Sequence, residues 1–142
     1  MAEHIVELPD GDITPLLAHL ADATFVNLHP GVDPDDAPRA PSQSPLGNLL
    51  GNRGPVVPLS TWTPGEIGIQ HMAGQRFVRF LADKGVPVPE EWYVVSDHPR
   101  RGLVLRTYDA PPAETLAWLV RAAVVACPLP IDRPWQAVVH TR

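Results

Sequence analysis

The chain is poor in cysteine, in lysine and in long apolar runs, and each shortage excludes something. Cys127 is the only cysteine among 142 residues, so no internal disulfide, thiolate metal cage or CxxC redox pair is available. No apolar stretch approaches the ~20 residues of a membrane-spanning helix, and the opening MAEHIVELPDGD has neither the basic region nor the apolar core of a signal peptide. The expected location is cytoplasmic. Basic residues are also few. Eleven Lys and Arg stand against 16 Asp and Glu, a net charge of −5, which argues against a nucleic-acid partner because phosphates need a basic stripe to neutralise them. The acid is concentrated in residues 1–71, which hold 9 acidic and 2 basic residues, whereas residues 72–142 hold 7 and 9. No GxSxG or HExxH nucleophile or metal motif occurs, so neither a metal nor a cofactor is expected.

Hydrophobic residues, at 44%, suffice for one core, and the length fits a single α+β domain spanning residues 1–142. Asp12-Ile13-Thr14-Pro15 reads as a capped helix start, giving a helix that ends near Thr24. Phe25–His29 reads as a strand closed by Pro30-Gly31. Residues 30–64 contain eight prolines and four glycines, which predicts an irregular loop over 30–62, relieved by a helical turn after Ser44-Pro45 and an edge strand at Val56–Leu59.

Thr63-Pro64-Gly65-Glu66 has the S/T-x-x-E spacing of a capping box and predicts a second helix running to Lys84. Trp92–His98 and Leu103–Tyr108 predict a hairpin, Ala113–Cys127 a nearly all-apolar helix, and Trp135–His140 a last strand. Without the first helix the order is β-α-β-β-α-β. The expected fold is therefore a ferredoxin-like two-layer sandwich with an extra N-terminal helix and a long Pro/Gly-rich loop. Both faces of its sheet read as apolar, so the second must be covered by the N-terminal third or by another copy in a homodimer.

In that topology the strands ending at His29 and His98 run parallel with one strand between them, ~9.6 Å apart, and His140 lies at the far edge, which argues against a three-histidine zinc site. The shared edge gathers His29, Arg53, Gln70, His71, Asp97, His98, Arg100 and Arg101 beside the start of the second helix, whose free amides suit a small anionic ligand. Two functional readings follow. One is a small binding or interaction domain. The other is a metal-independent enzyme with His71 or His98 as general base, Asp97 orienting it, and Arg100 or Arg101 holding developing negative charge. A polar hairpin tip, with Asp97 accepting backbone amides and solvated arginines, is the simpler account of residues 97–102.

Arg53-Gly54-Pro55, Thr61-Trp62, Gln70-His71-Met72-Ala73-Gly74 and Asp97-His98-Pro99-Arg100-Arg101-Gly102-Leu103-Val104 resemble a group of small uncharacterised proteins from high-GC bacteria, over most of residues 24–140. That resemblance implies no activity, ligand or partner.

Overall fold

The computed structural model describes residues 2–33, 57–71, 73–99 and 102–142. Its centre is a seven-stranded sheet of β1 (Ala2–Leu8), β2 (Ala23–His29), β3 (Leu59–Thr63), β4 (Glu66–Gln70), β5 (Tyr93–His98), β6 (Gly102–Arg106) and β7 (Trp135–Thr141). The strands lie in the order β1-β7-β2-β3-β4-β6-β5, and every neighbouring pair is antiparallel. Three α-helices accompany the sheet among the described residues, α1 (Thr14–Leu17), α2 (Phe77–Asp83) and α3 (Pro112–Ala126), with a short 3-10 turn at Pro9–Gly11. None is long and apolar enough to cross a membrane.

This overturns the ferredoxin-like expectation, and the largest reason is Thr63-Pro64-Gly65-Glu66. These four residues make the tight turn of the β3–β4 hairpin, with Thr63 paired to Glu66 and Gly65 at φ +83°. The Thr63 hydroxyl donates to the Glu66 carbonyl (2.9 Å), not to a helix amide. Pro followed by Gly fits the two central positions of a type II turn as well as it fits a helix start. Beyond the turn, Ile67 and Ile69 are buried and flank Gly68, a period of two that belongs to a strand. The predicted helix from Thr63 is thus confined to the seven residues of α2.

Three smaller corrections follow. The helix expected over residues 12–24 is the single turn α1. Residues 2–8 form a strand that the charged pattern of Ala2-Glu3-His4-Ile5-Val6-Glu7 does not advertise. The strand expected at Val56–Leu59 starts at Leu59 and lies inside the sheet, with Pro58 just ahead of it, where its missing N–H removes no ladder bond. The turn expected near residue 44 lies outside the described residues.

The elements at 23–29, 93–98, 102–106, 112–126 and 135–141 match the expected ones to within two residues. α3 opens with Pro112, carries Glu114 in its first turn, and buries Leu116, Trp118, Leu119, Ala122 and Ala123. Two tryptophans fix it in place: the Trp118 indole donates to the Pro87 carbonyl (3.0 Å) and the Trp62 indole to the Thr115 hydroxyl (3.2 Å).

The sheet's two faces differ. Val26, Leu28, Trp62, Ile67, Ile69, Leu103, Leu105, Trp135, Ala137 and Val139 alternate onto one face and are buried with Leu16, Phe77, Leu81, Leu116 and Leu119 of the helices. The pairing places three rows of side chains on the opposite face. The middle row reads Ile5, Val138, Asn27, Thr61, Gly68, Val104, Ser96 from β1 to β5. The outer rows contain Glu3, His140, Phe25, Glu66, Arg106 and Tyr93 on one side, and Glu7, Gln136, His29, Leu59, Gln70 and His98 on the other. This second face is mixed, not apolar, which removes the reason for expecting a copy packed sheet to sheet. None of the described helices contributes to covering it.

Candidate functional site

The expected gathering of residues at one sheet edge is met only in part. β2 and β5 do run the same way, but three strands separate them, so His29 and His98 stand about four strand spacings, ~19 Å, apart. His140 ends the antiparallel β7 at the other end. Among the described residues no three His, Cys, Asp or Glu side chains gather as metal ligands. Arg53, Arg100 and Arg101 lie outside the described residues.

His71, Asp97 and His98 do come together, with Gln70 alongside at the end of β4. His71 continues the inward face of β4 and is only 3% exposed. Its ring stacks on Phe77 at 3.9 Å, and its Nδ1 accepts from the Ala73 amide (3.2 Å), which puts the proton of the neutral ring on Nε2. Nε2 is buried and finds no partner among the described residues, and the same holds for the Ser60 hydroxyl on the same face of β3. Burial pushes the His71 pKa down; the Asp97 charge opposes this and His98 adds to it.

Asp97 is committed elsewhere. Its carboxylate accepts from the backbone amides of Phe77 (2.8 Å) and Val78 (3.3 Å), so it caps α2 from the neighbouring strand. The helix start expected at Thr63-Pro64-Gly65-Glu66 is a hairpin turn instead, and the start of α2 at Phe77 already holds this carboxylate. The local sequence explains why: Arg76, which precedes the helix, supplies no side-chain cap.

The sheet face opposite the described helices carries a second cluster that sequence reasoning did not assemble. A recess of about 340 Å³ opens at the end of β1, β7 and β2, lined by Glu7, His29, Gln136, residues 30–32 and residues 133–134. Glu7 and His29 both pair with Gln136, so carboxylate, amide and imidazole form one row. Partial desolvation in this recess lowers the His29 pKa and favours the neutral ring.

The recess floor is tightly built. The Gly31 carbonyl accepts from both Asp132 and Arg133 amides (3.1 Å each), and a Cβ on Gly31 would sit 1.9 Å from the Arg133 carbonyl oxygen. Only glycine permits that approach. Arg133 reaches Asp33 at 3.0 Å and Asp132 at 3.8 Å, so its charge is already balanced.

One row further on, a polar line crosses four strands. The Thr61 hydroxyl donates to Asn27 Oδ1 (2.9 Å), Asn27 Nδ2 faces His140 Nε2 (3.4 Å), and His140 Nδ1 lies 3.5 Å from Glu3. Phe25 stacks on the His140 ring at 4.0 Å. Donor and acceptor roles agree along the line if His140 is neutral with its proton on Nδ1.

Of the expected site residues, then, His29 belongs to the recess, while Gln70, His71, Asp97 and His98 mark the other end of that sheet edge. Glu7, Gln136 and Arg133 were missed because nothing local signals them; they meet only through the order of the strands. Compared with known proteins, the chain matches no family model, and no curated protein or solved structure shows a significant match.

Proposed function

We propose that the protein is a binding domain for a small polar molecule, neutral or cationic, seated in the recess between Glu7, Gln136, His29 and the Arg133 loop. The observation that carries this reading is the convergence, in one concave site, of a carboxylate, an amide and a neutral imidazole over a floor that tolerates only glycine. Small-molecule sites typically combine such shape with a few convergent polar groups. The charge balance sets the ligand class. Among the described residues, Glu7, Asp33 and Asp132 against Arg133 leave the neighbourhood negative, which favours a neutral or cationic ligand here over an anionic one.

The enzymatic alternative draws less support. It needs His71 or His98 as a base and Asp97 to orient it, whereas Asp97 holds the α2 amides and His71 Nδ1 accepts from Ala73, leaving its Nε2 as a donor.

Thermal-shift screening tests the reading with a panel of polyols, amides, amines, carboxylates and phosphates. Neutral or amine-bearing compounds are expected to raise the midpoint of the wild type and of His71→Ala, and to lose that effect in His29→Ala and Gln136→Ala. Hits that survive both recess substitutions, or that are confined to carboxylates and phosphates, contradict it.

A further inference from the structure

We propose that the free edge of β1 is a docking edge for an extended basic segment of another protein, which would add an eighth strand to the sheet. β1 has a single neighbour, β7, among the described residues, and the two pair in unbroken register from Ala2↔Thr141 to Leu8↔Trp135. An edge strand of an antiparallel sheet leaves the N–H and C=O of alternate residues facing outward, a template for another strand.

This edge is guarded by the charge of Glu3 and Glu7 and by no device of the backbone. β1 contains no proline, no lysine and no bulge, whereas the opposite edge strand, β5, is irregular between Val94 and Ser96. Ile5, in the middle of β1, is 68% exposed.

Charge specifies the partner. On the face opposite the described helices β1 presents Glu3, Ile5 and Glu7, an acidic-apolar-acidic alternation with spacing two. A strand laid beside it places its own residues i, i+2 and i+4 opposite these three, whether parallel or antiparallel. The complementary segment is Lys/Arg-x-apolar-x-Lys/Arg. A second copy of this chain is a poorer occupant: the full-overlap antiparallel register about Ile5 sets Glu3 against Glu7 twice, and like charges directly opposite are unfavourable. The acidic side chains thus repel a twin and select a basic strand.

The probe is the capped peptide Ac-Thr-Lys-Thr-Val-Thr-Lys-Thr-amide, followed by amide-resolved NMR on the intact protein, with sedimentation run in parallel. Binding is expected to shift the amides of residues 2–8 and to slow their hydrogen exchange. N-methylation of alternate peptide residues, which deletes the donors of one peptide edge, is expected to abolish binding for the edge that meets β1. The exposed double substitution Glu3→Lys/Glu7→Lys should weaken the basic peptide roughly tenfold or more and confer binding of the Glu-for-Lys peptide, a gain that misfolding cannot mimic. His29→Ala is expected to bind the peptide as the wild type does, which separates this proposal from the small-molecule reading. The proposal is overturned if the peptide fails to bind, if N-methylation of neither alternate set abolishes binding, if charge reversal leaves the preference unchanged, or if the protein self-associates through β1 in a form that the peptide does not displace.

Discussion

Removing the Asp97 carboxylate separates a structural role from a catalytic one. Asp97→Ala deletes the acceptor for two α2 amides, at 2.8 and 3.3 Å, in a half-buried position where water replaces it incompletely. Loss of a helix cap typically costs 0.5–2 kcal/mol, and hydrogen bonds to a charged acceptor lie toward the top of that range. α2 cannot escape by detaching, because Phe77 and Leu81 are fully buried. The expected destabilisation is about 2 kcal/mol, which in a domain of this size lowers Tm by roughly 6–8 °C. Asp97→Asn keeps one carbonyl acceptor and should lose about half as much. Urea unfolding followed by tryptophan fluorescence measures both, with an unchanged m-value showing that the native state stays compact. Asp97→Ala as stable as the wild type refutes the capping role. So does Asp97→Ala that abolishes ligand response while leaving stability intact.

Other consequences are equally open to measurement. Because burial holds the folded pKa of His71 below its ordinary 6.5, the unfolded chain takes up protons first as pH falls. The stability that comes from keeping this ring neutral is therefore complete above about pH 6.5 and declines as pH drops toward the folded pKa. Denaturation midpoints should fall between about pH 7.5 and 5.5, and His71→Phe should flatten that slope, with His29 contributing in the same direction. Gly65→Ala distinguishes hairpin from helix by sign: at φ +83° it should destabilise by about 1 kcal/mol, whereas in a helical turn alanine would stabilise by about the same amount. Gly31→Ala must displace the Arg133 carbonyl and should cost about 2–4 kcal/mol by calorimetry or denaturant titration, and weaken binding in the recess as well. Asn27→Ala strands the Thr61 hydroxyl and should cost about 1–2 kcal/mol, with Asn27→Ala/Thr61→Val costing less than the sum of the two single substitutions in a double-mutant cycle.

The legible parts of the fold are those whose pattern has one reading. Leu103-Val104-Leu105 beside a glycine turn can only be half of a hairpin, and the apolar run closed by Pro128 can only be a buried helix. Thr63-Pro64-Gly65-Glu66 has two readings, because a threonine hydroxyl reaches a backbone group three residues on in a turn as readily as at a helix start. The choice is made by burial of Ile67 and Ile69 against α3, which is a tertiary fact. β1 escaped notice because an edge strand needs little apolar surface, and Glu3, His4 and Glu7 hide its period of two. The site depends on strand order. Once the helix over residues 63–76 is replaced by β3 and β4, two more strands stand between His29 and His98, and His29 joins residues 7 and 136, which local sequence gives no reason to connect.

The central claim is that the working surface is the β1–β7–β2 recess, on the sheet face opposite the described helices. Side-chain NMR of selectively labelled protein tests it most directly: the Gln136 and Asn27 amide groups and the His29 and His140 rings are observed while amine, polyol and amide fragments are added. The account predicts that the Gln136 and His29 signals move together and saturably, with smaller changes passed to Asn27 and His140. Saturable shifts confined to His71, Phe77 and Asp97, with Gln136 and His29 silent, would contradict it.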